Sequence, residues 1–218
     1  MFADRIDAGQ RLGANLREFM GQECAGDETL VLALPRGGVP VAYQVAKALG
    51  SSLDVFVVRK LGAPQQPELA MGAIASGGIR VLNDEIVRAL RVTPQQLADT
   101  TERESRELER REHAYRGDRA PVDVKGKCVL LVDDGVATGY TMRAAVAALR
   151  QREPKRIIIA VPVAAKDTCT ELERHADAVV CLMAPFDFAA VGQWYRRFDQ
   201  TSDDEVRLLL ERAAQAQL

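Results

Sequence analysis

Five short apolar runs recur along the chain, and what lies between them restricts the folds it can adopt. The runs are "TLVLALP" (29–35), "LDVFVV" (53–58), "KCVLLVDD" (127–134), "RIIIAVPV" (156–163) and "AVVCL" (178–182). Each is short enough for a buried strand, and helical patterns separate them: "VAYQVAKALG" closed by Gly50, "TMRAAVAALRQR" and "DTCTELERHA". Strand, helix and strand in alternation predict a parallel α/β sheet flanked by helices. A chain of 218 residues is long enough for one well-cored domain of this kind, and a single domain over 1–218 is expected.

The remaining segments decorate that core. Ile6, Leu12, Leu16 and Phe19 fall on roughly one helical face, so an amphipathic helix is expected to open the chain. "GAPQQPEL" (62–69) has two prolines and no periodicity and reads as a loop. "AMGAIA" and "IRVLN" flank Ser76-Gly77-Gly78 as a β-hairpin would. Thr93-Pro94-Gln95-Gln96 combines a capping threonine, a proline at the first helical position and a glutamine three residues after the cap. The helix it opens is highly charged, with Glu102–Arg106 and Glu107–Arg111 spaced to pair along a solvated face. The tail "SDDEVRLLLERAAQAQ" is a capped amphipathic helix.

Charge and cysteine usage exclude several functions. A formal net charge of -2 argues against a general nucleic-acid binder, and the signs alternate along the charged helix. The four cysteines are widely spaced and form no C-x-x-C pair, so neither a zinc site nor a disulfide framework is expected. That pattern points to a reducing cytoplasm. The opening "MFADRIDAGQRLG" is charged and mixed, unlike a signal peptide, and no run reaches membrane-spanning length. His113 and His175 fall in charged helical stretches and read as surface residues. There is neither a G-x-x-x-x-G-K-[ST] loop nor a G-x-S-x-G elbow.

The third apolar run carries the chemistry. "VLLVDDGVATGYT" (129–141) ends a buried strand on Asp133 and Asp134 and continues through small residues into a helix. Ligands of parallel sheets bind at the carboxyl ends of strands. A helix N-terminus offers unpaired N–H groups and the positive end of the dipole, which suits a phosphate. Gly139 permits close backbone approach, and Thr138 and Thr141 can each donate a hydroxyl. Two carboxylates would repel that phosphate, but they suit sugar hydroxyls or a magnesium ion bound to them. Acids after a strand are common; the whole combination is specific, and it describes a sugar-phosphate site.

"VLLVDDGVATGYT" resembles the phosphoribosyl pyrophosphate (PRPP) signature of type I phosphoribosyltransferases. The resemblance extends through "LALPRGGVPVA", "VVRKLGAP", "PELAMGAI", "AVPVA" and "FDFAAVGQWYRRFDQTSDDEV", covering nearly the whole chain, and is nearest to bacterial members whose acceptor is unassigned. It implies a Rossmann-like core of about five strands with a small hood and a β-hairpin/long-helix insertion. By resemblance, Asp133 and Asp134 bind the ribose 2- and 3-hydroxyls and act in catalysis. Ala137, Thr138, Gly139, Tyr140 and Thr141 hold the 5-phosphate. Arg36, Gly37 and Gly38 meet the pyrophosphate at a turn that often contains a non-proline cis peptide, here expected at Arg36–Gly37. Arg59 and Lys60 match basic residues that neutralise pyrophosphate at the end of the second strand.

The implied activity is cytoplasmic glycosyltransfer of the salvage type. A 5-phosphoribosyl group passes from PRPP to a nitrogenous acceptor, with a nucleobase the first expectation, and pyrophosphate leaves with Mg²⁺. Magnesium is expected mainly through PRPP, with Asp133 and Asp134 as its candidate protein ligands. The lid that excludes water maps to residues 61–78, which include Glu68, and the hood to the N-terminal region and about 184–200. Phe188 and then Trp194 are the candidates for stacking on the acceptor. Ala137 stands where 6-oxopurine enzymes carry an aspartate, which argues against hypoxanthine or guanine. A PRPP-sensing protein without turnover is the alternative, and the long charged helix leaves room for a homodimer.

Overall fold

The structure is a computed structural model that describes residues 1–24 and 28–216. Its main sheet contains β1 (Thr29–Ala33), β2 (Ser52–Val55), β6 (Cys128–Val132), β7 (Arg156–Val163) and β8 (Ala178–Met183). All pairings are parallel, and the order is β2-β1-β6-β7-β8. Side chains of successive strand residues leave opposite faces. Val31, Leu130 and Ile158 accordingly pack towards α1 (Arg5–Glu23), α2 (Gly38–Leu49) and α7 (Asp203–Gln215). Leu32, Leu131 and Ile159 pack towards α5 (Tyr140–Arg150) and α6 (Lys166–Leu172). Both faces are thus covered by helices, which explains why these strands read as unbroken apolar runs.

The second strand is shorter than "LDVFVV" suggests. The chain leaves the main sheet after Val55 and enters a separate antiparallel sheet of β3 (Val58–Ala63), β4 (Gln66–Ala75) and β5 (Ile79–Leu82). Residues 61–78 are therefore mostly strand, and the loop expected over 62–69 shrinks to a turn at Pro64-Gln65. The prolines misled because register shifts between Leu61 and Ala63 leave room for Pro67 outside the regular ladder. The hairpin at Ser76-Gly77-Gly78 forms as its glycines indicate, with φ of 84° and 75° at Gly77 and Gly78. A short α3 (Asp84–Ala89) follows, capped by Asn83. Next comes α4 (Pro94–Arg116), with the Thr93/Gln96 capping box in place.

A buried ion pair fastens the long helix to the main sheet. Arg116, at the end of α4, donates from Nε to Asp54 Oδ1 and Oδ2 at 2.8 and 3.0 Å, and from Nη1 to Glu112 at 2.8 Å. Asp54 lies on the edge strand β2 and also accepts from the backbone N–H of Val55 and Val122.

The cysteines need a correction. Cys24 and Cys128 are joined in a disulfide across 104 residues, with Cα atoms 6.3 Å apart. Spacing could not reveal this pair, because it is the packing of α1 on the sheet that brings the two elements together. The pairing removes the ground on which a reducing compartment was expected. Among the described residues, no helix is long and apolar enough to cross a membrane.

Candidate active site

Strands β1 and β6 are neighbours, with Ala33 opposite Val132, so their carboxyl ends open side by side. The turn after β1 folds over the end of β6: Leu34 N–H donates to Val132 O at 2.9 Å, and Gly38 N–H to Leu34 O at 3.1 Å. Its two glycines touch the acidic pair. A Cβ on Gly37 would fall 2.1 Å from Asp134 Oδ2; one on Gly38 would fall 2.8 Å from Val132 O and 2.9 Å from Asp133 Cα. The cis peptide lies at Pro35–Arg36, one bond before the expected Arg36–Gly37. Gly37 already has helical angles, φ -58° and ψ -32°, and leads directly into α2.

Gly38→Ala should therefore be harmful out of proportion to one methyl group. The clashing atoms are backbone, so the turn and the end of β6 must separate, with a stability loss of about 1–3 kcal/mol. Urea denaturation checks the loss.

Beyond Asp134 the chain is strapped down as a cradle. Thr168 Oγ1 donates to Ala137 O at 2.6 Å, and Arg143 Nη1 to Thr138 O at 3.0 Å. Gly139 has φ 70°, and a Cβ there would lie 2.9 Å from Thr168 Cγ2. Ala137, Thr138 and Thr141 are exposed. The N–H groups of Tyr140, Thr141 and Met142 open α5, with no carbonyl four residues back within the helix to receive them. The Tyr140 side chain turns away and donates to Gly72 O on β4 at 3.0 Å, so its share in the cradle is the backbone.

The acidic pair is electrostatically divided. Burial, and then the adjacent Asp134 charge, push Asp133 well above the usual carboxylate range. Asp134 has a cation of its own: Arg5 Nε lies 2.8 Å from its Oδ2, with both side chains 13% exposed. Arg5 also donates to Asp199 O at 2.5 Å, and its guanidinium lies 3.9 Å from the centre of the Phe198 ring. Tyr195 donates its hydroxyl to Asp134 O, and its own ionisation is pushed upward mainly by burial. Sequence reasoning missed Arg5 and Tyr195. Arg5 stands just before the amphipathic pattern that begins at Ile6, 129 positions away from its partner.

The other anticipated residues are placed unevenly. Arg36 Nη1 reaches Asp203 Oδ1 at 3.5 Å, and that oxygen also accepts from Tyr115 at 3.2 Å. Arg59 and Lys60 lie within β3, not at a strand end in the main sheet. Arg59 is held by Glu104 of α4 at 2.7 Å, and Lys60 by Glu68 at 3.1 Å, Glu68 being fully exposed. A cavity of about 590 Å³ beside the Arg59–Glu104 ion pair is lined by both the hairpin and α4. Over the far side of the site, Phe2 pairs with Tyr195, and Arg197 N–H donates to Ala3 O at 3.0 Å. This clasp joins the N-terminus to the 190s, and Val191 packs against Gly135, just past the acidic pair. Phe188 and Trp194 stack on each other, with centroids 6.4 Å apart and planes at 18°.

Comparisons with known proteins identify relatives of the chain. The phosphoribosyl transferase domain family matches residues 3–195. "Putative phosphoribosyl transferase Rv0571c" of Mycobacterium tuberculosis is 46% identical over 213 residues, which cover 98% of this chain and 47% of that protein. The chain thus spans about half the length of the curated relatives it matches. Among solved structures, TT1426 from Thermus thermophilus superposes with a TM-score of 0.84 at 42% identity, covering 97% of this chain and 98% of the other. With the match extending from the clasp at the N-terminus to Tyr195, the chain belongs to the phosphoribosyl transferase domain family.

Proposed function

We propose that the protein transfers a 5-phosphoribosyl group from PRPP to a nitrogenous acceptor and releases pyrophosphate. One observation carries the reading: the Gly37-Gly38 turn lies against the Asp133-Asp134 pair, with no room even for a methyl group between them. That contact sets a turn suited to pyrophosphate directly beside carboxylates suited to ribose hydroxyls, and the cradle at 137–141 continues from the same strand. Three parts of one molecule, pyrophosphate, ribose and 5-phosphate, would then be met by consecutive pieces of two neighbouring strands.

In this reading Asp133 and Asp134 accept hydrogen bonds from the ribose and lie near the positive charge that develops at C1. Arg36 is freed from Asp203 to meet the leaving group. The small sheet and the clasp keep water from the activated sugar. Among the described residues no group of three or more His, Cys, Asp or Glu is arranged to hold a metal ion. Two adjacent carboxylates do fit a magnesium ion that takes most of its ligands from phosphate oxygens and water. When bound it would neutralise charge on the departing pyrophosphate. The acceptor would enter beneath Phe188 and Trp194, and a nucleobase is the first class to try.

Pyrophosphate release from PRPP and Mg²⁺ should appear with one member of a panel of purine, pyrimidine and pyridine bases. Binding of PRPP without release, whichever base is added, would instead support a PRPP sensor.

A further inference from the structure

The N-terminal arginine is built into the acidic pair more firmly than a surface ion pair would be. Arg5 and Asp134 are both 13% exposed, and Arg5 is fixed on three sides: by Asp134 at 2.8 Å, by Asp199 O at 2.5 Å and by the Phe198 ring at 3.9 Å. The Asp134 oxygen that pairs with Arg5, Oδ2, is also the one that lies against Gly37. Asp134 is thus held between the clasp and the glycine turn, while Tyr195 secures its carbonyl. A guanidinium fixes a carboxylate in direction as well as in charge.

We propose that Arg5 is a positioning residue for the phosphoribosyl donor, aiming Asp134 at the ribose hydroxyls and making that aim depend on a closed clasp. The inference rests on the PRPP reading given above. Arg5 and Gly37 both bear on Oδ2 of Asp134, which fixes the direction of the carboxylate and with it that of Oδ1. The clasp segments 2–5 and 194–199 meet at this arginine, so opening the acceptor side would loosen Asp134 as well.

Arg5→Ala and Arg5→Lys, with Phe198→Leu as a milder second disturbance, test this. Losing well-aimed hydrogen bonds to a charged carboxylate weakens binding by roughly tenfold to 100-fold. The Arg5→Ala protein should therefore bind PRPP with Mg²⁺ between tenfold and 100-fold more weakly in calorimetry, and guanidinium ion at millimolar concentration should restore part of the loss. Arg5→Lys should fall between wild type and Arg5→Ala, and Phe198→Leu should show a smaller loss of the same kind. Unchanged or tighter PRPP binding by folded Arg5→Ala would overturn the proposal. So would a crystal structure of that variant with Asp134 still seated against Gly37. If the wild-type protein itself does not bind PRPP, the functional reading fails, and the crystallographic position of Asp134 still decides whether Arg5 positions it.

Discussion

Asp133→Asn/Asp134→Asn should eliminate base-dependent pyrophosphate release, with a fall on the order of 10²–10³-fold or more. The exchange keeps shape and removes the carboxylate charge, chiefly that of Asp134, placed to meet a developing cation. The fold should survive it. Asp133 is already pushed towards its neutral form by burial, so an amide there surrenders little, and Asp134 loses its ion pair with Arg5 while keeping its volume. Thermal melting and a release assay on the same preparation separate the two effects. Wild-type release rates from the double variant would rule out the acidic pair as the reacting site.

The largest effect on stability is expected at Arg116. Its guanidinium and the Asp54 carboxylate are 5% and 8% exposed, so Arg116→Leu would leave a buried carboxylate without its counter-charge. Breaking such a pair costs about 3–5 kcal/mol. The Arg116→Leu/Asp54→Leu double variant should recover much of the loss, because replacing both ions with apolar groups is often close to neutral. Urea midpoints of the three proteins check this, and a loss below about 1 kcal/mol in the single variant would contradict it. Since Asp54 sits on the edge strand and Arg116 ends α4, the pair also determines how the inserted segment attaches to the core.

What the sequence revealed, and what it concealed, follows from the range of each interaction. The run Arg156–Val163 is strand from end to end because its apolar character is local and uninterrupted. Thr93 opens α4 with its capping box because a cap is written within four residues. Asp133, Asp134 and the glycine turn could be matched to a known signature because each is contiguous. Arg5 could not be, since its contact with Asp134 exists only once folding brings the start of α1 to the segment after β6. The Cys24–Cys128 bond was hidden for the same reason. The small sheet was missed differently: its prolines looked like loop signals, and a local irregularity in β3–β4 accommodates them.

The small sheet bears on how a substrate would be enclosed. A coil that orders over a ligand gives up about 1–2 kcal/mol of backbone freedom for every residue it fixes. Residues 61–78 have met most of that cost during folding, since β3, β4 and β5 already hydrogen-bond one another. If this element closes over a substrate, as proposed, the closure would be a displacement of preformed strands and not the ordering of a coil. Leu61, Met71 and Ile74 anchor this element in the main core, so any movement over a donor would belong to its exposed tip, residues 64–69, and would be set against contacts such as Arg59 with Glu104 instead of against chain entropy.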